Sequence, residues 1–166
     1  MLNEPTLATG ASQVDYEVVE VGAPAHPKNQ FILAYWRERL NADAIVLRRD
    51  VDPVDLKKVL GGVFIVEPVD GGKDLLYRLV GSQNERRIGM KCTGRRFTEC
   101  YSPRMAAEQI AFHMEVFARG RPAFLRGRLT GLDLEHVNFE ACYLPIVTDA
   151  GTPQMLGGLY DLAEPE

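Results

Sequence analysis

The stretch 62–81, GVFIVEPVDGGKDLLYRLVG, restricts the fold of this chain more than any other part of the sequence. Two runs rich in β-branched and large apolar residues, at 63–69 and 75–80, are separated by a turn with the sequence DGGKD. Adjacent glycines supply the positive φ angles of a tight turn without steric cost. The stretch therefore predicts an antiparallel β-hairpin, and strict alternation places Tyr77 and Leu79 on one face of its second strand.

Helix signals lie on both sides of this hairpin. Residues 29–40 carry apolar side chains at helical spacing, with Asn29 as the expected N-cap. The pair Asp52-Pro53 is typical of a helix start, because aspartate caps and proline suits the first helical position. Directly after the hairpin, the run from Ser82 to Glu85 matches a capping box, which predicts a short helix with Ser82 as its N-cap.

The clearest helix signal runs from Ser102 to Gly120. A serine N-cap precedes a proline, an apolar stripe follows at helical spacing, and glycine ends the pattern. His113 lies at or beside the apolar stripe. We therefore expect this histidine to face the interior of the domain.

Three strand-like runs complete the chain, at 122–132, 137–147 and 155–162. In the second run, alternation with Phe139 and Ala141 places Glu140 on an outer, solvated face. The order of strand, strand, helices and three more strands predicts an α+β fold. We expect a five-stranded antiparallel sheet with helices on one face, plus an N-terminal flanking helix.

Composition excludes several classes of protein. The formal net charge of −4 predicts no broad basic surface and hence no nucleic-acid partner. No apolar run approaches the roughly 20 residues that span a bilayer, and no leader pattern precedes the domain, so a cytoplasmic location away from membranes is expected. The three cysteines show no C-x-x-C spacing, which disfavours a disulfide framework and a zinc site.

The order and spacing of several short motifs, taken together, resemble a known family. The motifs run from W-R at Trp36, through D-P-x-x-L at Asp52, Y-R-L-x-G at Tyr77 and L-P-I at Leu144, to a closing L-G-G-L-Y-D-L. This pattern resembles a bacterial PAS-domain variant in which the domain makes up nearly the whole protein. The mixture of small, polar and proline residues at 1–27 predicts a flexible N-terminal segment, which carries a possible short strand. A flanking helix with its linker is expected at 28–51 and the PAS-like domain at 52–163.

This resemblance implies a sensory and signalling module, not an enzyme. Such domains act by binding a small molecule and contacting a signalling protein, and they commonly form homodimers through an N-terminal helix. The sequence requires no cofactor. The region around Cys92 does not match the box of flavin-binding PAS domains, and His113 leaves haem as an alternative because haem-binding PAS domains can use a histidine on the long helix.

Two groups of residues are expected to carry these contacts, and each has a plain structural alternative. The pocket residues would equally well fill the core, and the flanking helix would equally well pack on the sheet of its own chain. The expected pocket wall is Phe64, Tyr77, Leu79, Ile110, His113, Phe117 and Tyr143, and the expected dimer interface is Phe31, Ile32, Tyr35 and Trp36.

Two further functions stay open at the level of the sequence. The first is a small α+β enzyme with a cone-shaped pocket, using His113 or Tyr143 as the acid or base. No Ser/His/Asp, Cys/His, P-loop or metalloprotease motif supports that alternative. The second is a PAS scaffold that binds no ligand and works only through protein contacts.

Overall fold

The computed structural model of this protein describes residues 15–130 and 138–162. Three predicted features lie outside the described residues: the first part of the segment 1–27, the turn after residue 130, and the last residue of the predicted domain. The strands are β1 (Asp15–Val21), β2 (Val63–Val69), β3 (Asp74–Val80), β4 (Ala123–Thr130), β5 (Asn138–Val147) and β6 (Pro153–Asp161). The helices are α1 (Pro27–Glu38), α2 (Ser82–Ile88), α3 (Phe97–Cys100) and α4 (Pro103–Arg119).

The described strands form one antiparallel sheet in the order β1-β4-β5-β6-β2-β3. The α+β fold class predicted from the sequence is confirmed. The sheet has one strand more than the five expected, because β1 pairs with β4 along its whole length instead of standing outside the sheet. Part of the segment expected to be flexible, at 15–21, thus forms an edge strand of the sheet, where the sequence indicated a possible short strand.

Apolar side chains pack on both faces of this sheet. On one face, α2, α3 and α4 cover a core that includes Phe97, Met105 and Val116. On the other face, α1 covers a second core that includes Ile32 and Trp36. The prediction of helices on one face therefore holds for α2 to α4, and α1 is the flanking helix on the opposite face.

Local signals predicted some of the helix starts correctly and missed others. Ser102 caps α4 by accepting a hydrogen bond from the amide of Met105 (3.3 Å), as expected. Asp52 likewise caps a short 3₁₀ helix at Pro53–Leu56. The expected cap at Ser82 is wrong, because α2 is preceded by Gly81. A Cβ at Gly81 would lie 2.1 Å from the carbonyl oxygen of Leu60, so this close approach demands glycine.

Glu140 anchors the start of α1, in contrast to its expected place on a solvated face. The side chain is fully buried, and its carboxylate accepts hydrogen bonds from the amides of Ala25 (2.7 Å) and His26 (2.9 Å) and from Nδ2 of Asn29 (3.1 Å). Burial alone would raise the pKa of Glu140, but these bonds to the charged form hold it below its usual value. Asn29 is accordingly not the N-cap of α1, a position that His26 takes.

A β-bulge in β3 reverses the side-chain alternation of that strand. Ile65 pairs with Leu79 and the next residue, Val66, pairs with Tyr77, so Arg78 is an additional residue in β3. Tyr77 consequently faces the core under α4, whereas Leu79 packs in the core under α1. The prediction that Tyr77 and Leu79 share a face is wrong for this reason.

The glycine pair in β6 marks close packing of side chains against the backbone. A Cβ at Gly157 would lie 2.1 Å from the ring of Phe64, and a Cβ at Gly158 would lie 2.5 Å from Oδ1 of Asn29. The β5–β6 register runs past both glycines without a shift. The glycine pair in β6 is therefore explained by close approach of other side chains and not by a bulge.

Candidate functional site

A cavity of about 130 Å³ lies between the sheet and α4, on the face covered by α2 to α4. Its walls are mostly apolar, and aromatic rings dominate them. The phenylalanine and tyrosine lining residues are Phe64, Tyr77, Phe97, Tyr101, Phe112, Phe139 and Tyr143. An engineered apolar cavity of similar volume holds a benzene molecule in another protein, so this space is large enough for a ligand with one small ring.

The structure brings four of the seven predicted pocket residues to this cavity: Phe64, Tyr77, His113 and Tyr143 line it. Ile110 and Phe117 are half-buried and pack against the same core without lining the cavity. Leu79 lies on the opposite face of the sheet because of the bulge at Arg78. The predicted wall is thus partly assembled.

His113 projects from the middle of α4 into this cavity and is 2% exposed. Its Nδ1 lies 2.8 Å from the carbonyl oxygen of Gln109, one helical turn earlier. A carbonyl oxygen can only accept, so Nδ1 carries the proton and Nε2 presents a lone pair. Burial lowers the pKa of His113 to about 4, despite this hydrogen bond, and the imidazole is therefore neutral at pH 7.

Gln109 is a lining residue that the sequence analysis missed. It stands four residues before His113, so both side chains leave the same side of α4. Its amide nitrogen is buried and, like Nε2 of His113, has no hydrogen-bond partner among residues 15–130 and 138–162. The helical spacing of a glutamine and a histidine on the apolar side of α4 is the signal that could have identified the pair.

Two tyrosine hydroxyls form a further polar feature of the cavity wall. The hydroxyls of Tyr77 and Tyr101 lie 2.5 Å apart, and the ring of Tyr77 stacks on Phe97 with centroids 4.5 Å apart. Phe97 in turn meets the imidazole of His113 edge-on, at 5.4 Å. This chain of ring contacts positions the aromatic side chains around His113.

The charged residues that line the cavity are already engaged in ion pairs. Arg87 donates to Asp161 (2.7 Å) and also to the side-chain oxygen of Asn84. Glu108 is exposed and accepts from Arg104 (3.0 Å). The cavity therefore offers a neutral interior, with its charged groups paired at the margin.

The residues around His113 do not fit haem. A haem ligand must leave room for a whole porphyrin plane, whereas the space around the imidazole is bounded by the rings of Phe97, Phe112 and Tyr143, with centroids 5.4, 6.4 and 5.3 Å away. A porphyrin is also much larger than the cavity. Within the described ranges, no cluster of three or more histidine, cysteine, aspartate or glutamate side chains could hold a metal ion.

The predicted dimer residues fall into two groups. Ile32, Tyr35 and Trp36 are buried against the chain's own sheet, and Nε1 of Trp36 donates to the carbonyl oxygen of Pro145 (2.8 Å). Phe31 lies on the outer side of α1 and is 43% exposed. The packing of α1 thus follows the alternative in which it covers its own sheet, and the homodimer stays a prediction in which Phe31 is the accessible residue.

A comparison with protein families agrees with this architecture. A family model described as PAS domain matches residues 24–161, and the chain therefore belongs to the PAS domain family. The class of protein is that of sensory and signalling modules. A search of curated proteins finds no significant match.

One solved structure that the chain resembles is entitled "Structure of an RNA-binding Light-Oxygen-Voltage Receptor". The match has a TM-score of 0.43 and 18% sequence identity, over 91% of this chain and 39% of that one. This chain therefore spans well under half of the receptor's length. In the described part of this protein, no helix combines the length and apolar character that crossing a membrane requires.

Proposed function

We propose that this chain is a non-catalytic PAS sensor that binds a small molecule in the cavity beneath α4. The observation that carries the proposal is the combination of a volume of about 130 Å³ with two buried polar atoms that lack partners in the described residues, on Gln109 and His113. Cores normally satisfy their buried polar groups, so such atoms beside a cavity point to a missing partner.

The arrangement around His113 supports binding over catalysis. A catalytic histidine is usually oriented by a carboxylate, whereas Nδ1 of His113 is held by a backbone carbonyl. The buried carboxylate of Glu140 serves the start of α1, on the other face of the sheet. Neither His113 nor Tyr143 is therefore assigned an acid–base role.

The partners of this sensor are also part of the proposal. We expect a homodimer that uses the outer side of α1 around Phe31, and a separate signalling protein that receives the output. The predicted cytoplasmic location and bacterial origin stay predictions. The alternative is a PAS scaffold that binds no ligand, and the test below distinguishes it from a ligand-binding sensor.

Native mass spectrometry of the purified full chain tests the proposal, because it reports the assembly and any retained molecule together. A small added mass that is lost on denaturation would support ligand binding. Soaking the protein with toluene, which is small enough for this space, then tests occupancy directly by NMR shifts of the methyl and ring protons that line the cavity. A chain that arrives empty and shows no shifts with toluene or with its hydroxyl-bearing counterpart, phenol, would overturn the ligand-binding function.

A further inference from the structure

The chemistry of a cavity ligand can be inferred from the two unpartnered atoms on α4. Nε2 of His113 presents a lone pair, because its Nδ1 proton is committed to the Gln109 carbonyl oxygen at 2.8 Å. Nε2 of Gln109 belongs to an amide NH₂ and can only donate. Gln109 and His113 stand one helical turn apart on α4 and both line the cavity, so an acceptor and a donor are left without a partner among the described residues.

A hydroxyl group satisfies both of these requirements at once. Its proton donates to an acceptor while its oxygen accepts from a donor. An ether or a ketone would satisfy only Gln109. A purely apolar molecule would leave both atoms desolvated, which costs free energy for each one.

A charged ligand group is disfavoured by the same surroundings. Burial keeps His113 neutral, with its pKa lowered to about 4, so it supplies no positive charge to balance an anion at pH 7. Arg87 lines the cavity but is paired with Asp161, and Glu108 is paired with Arg104. A carboxylate or an ammonium group would therefore be buried without a free counter-charge.

The remaining walls suit a compact apolar body. Phe64, Phe112 and Tyr143 form edge-to-face contacts with centroid distances between 5.0 and 5.7 Å, an arrangement that presents ring faces and edges to the cavity. The volume of about 130 Å³ limits that body to about one six-membered ring. Phenols and small cyclic alcohols meet these conditions.

Building on the proposed function, we propose that the cavity selects a small neutral molecule with one ring-sized apolar body and one hydroxyl group. The hydroxyl donates to Nε2 of His113 and accepts from Nε2 of Gln109. This selection defines the class of signal to which the sensor responds. It separates phenols and alcohols from hydrocarbons of the same shape and from carboxylic acids.

Titration of the full chain at pH 7 with phenol, toluene and benzoate tests this selection. Phenol and toluene have nearly the same shape, and toluene gains more from leaving water, so a preference for phenol must come from hydrogen bonds. We expect phenol to bind at least about tenfold more tightly than toluene and than benzoate. NMR chemical-shift titration measures the affinities even when they are weak.

The possible outcomes separate this inference from the proposed function. If toluene binds as tightly as phenol, the cavity accepts small molecules but the inferred selection for hydroxyl groups is overturned. If benzoate binds as tightly as phenol, the neutral character of the site is overturned. If none of the three binds, the proposed ligand-binding function fails and the inference fails with it.

Two variants connect the selection to the two atoms. Gln109→Met keeps the length of the side chain and removes the donor, and His113→Leu removes the acceptor. Each should lower the affinity for phenol about tenfold and leave the affinity for toluene within about twofold. Gln30→Met, an exposed glutamine on α1, is the matched control and should change neither affinity.

The Gln109 variant keeps the test decisive if His113→Leu does not fold. The Gln109 side chain is only half-buried, and its Nε2 makes no hydrogen bond to any residue that the structure describes. The fold should therefore tolerate methionine at this position. An unchanged phenol-to-toluene ratio in Gln109→Met would overturn the assignment of the hydroxyl to this pair.

Discussion

Gly157 in β6 leaves room for the ring of Phe64 in β2, since a Cβ at position 157 would lie 2.1 Å from that ring. Gly157 also pairs with Phe64 across the two strands. Phe64 is one of the aromatic rings that line the cavity. The shape of this cavity therefore depends on a glycine that does not itself line it.

We expect Gly157→Ala to destabilise the fold by about 1–3 kcal/mol, because the new methyl group forces the Phe64 ring out of its position. A ring displaced toward the cavity would also weaken phenol binding. Urea unfolding and the NMR titration measure the two effects. Gly22→Ala, where a Cβ meets nothing within 4 Å, is the matched control and should change stability little.

Acid should destabilise this protein through His113. The unfolded chain takes up a proton at this imidazole near pH 6.5, whereas the folded chain does so only near pH 4. Stability is therefore lost as the pH falls between these values, by roughly 2 kcal/mol from pH 7 to pH 5. Urea unfolding at a series of pH values measures this loss.

The variant His113→Leu separates this contribution from those of other titrating groups. The difference between the two proteins should depend on pH, with the variant losing less stability on acidification. Carboxylates with lowered pKa values, such as Glu140, contribute mainly below their usual pKa of 4.5, so the comparison is made above pH 5. Parallel stability curves for the two proteins would contradict the buried, neutral state of His113.

Glu140→Gln should be among the more damaging single-atom changes in this protein. The carboxylate accepts from two backbone amides and from Asn29, and a glutamine amide would place an NH₂ group against one of those donors. A loss of roughly 2–4 kcal/mol is expected. Glu17→Gln, which removes an exposed pair with Arg128, should cost less than about 0.5 kcal/mol in the same unfolding experiment.

If the chain forms a homodimer through α1, substitutions on the outer and inner sides of this helix should have different effects. Phe31→Glu should raise the dimer dissociation constant at least about tenfold with little change in unfolding free energy, because Phe31 is exposed in the single chain. Trp36→Phe should instead lower stability by about 1 kcal/mol, because Pro145 loses its hydrogen-bond donor. Light scattering across a concentration series measures the assembly, and a wild-type monomer at all concentrations would contradict the prediction.

The elements that could be predicted from the sequence are those with local causes. The glycine turn at 70–72, with positive φ angles at all three residues, and the Ser102 cap of α4 depend on neighbours within a few positions. The hairpin strands and α4 were accordingly predicted within a residue or two. The histidine on α4 was also placed correctly, because helical spacing decides which side of a helix is buried.

The features that could not be predicted depend on distant parts of the chain. Glu140 lies 115 positions from Ala25, and only the packed fold shows that the start of α1 needs a buried acceptor there. The bulge at Arg78 is likewise a property of the paired strands and leaves no mark in a simple alternation of apolar residues. These two features account for the wrong placement of Glu140 and Leu79.

The central position of β5 has a mechanical consequence. Along this strand, Phe139 and Tyr143 line the cavity, while Glu140 between them holds the first residues of α1. The interior that takes a ligand and the helix proposed to meet another chain are thus separated by the thickness of a single peptide backbone. A shift of β5 by less than the diameter of an atom would therefore move the cavity wall and the start of α1 together. No intermediate side chains are needed to transmit such a shift.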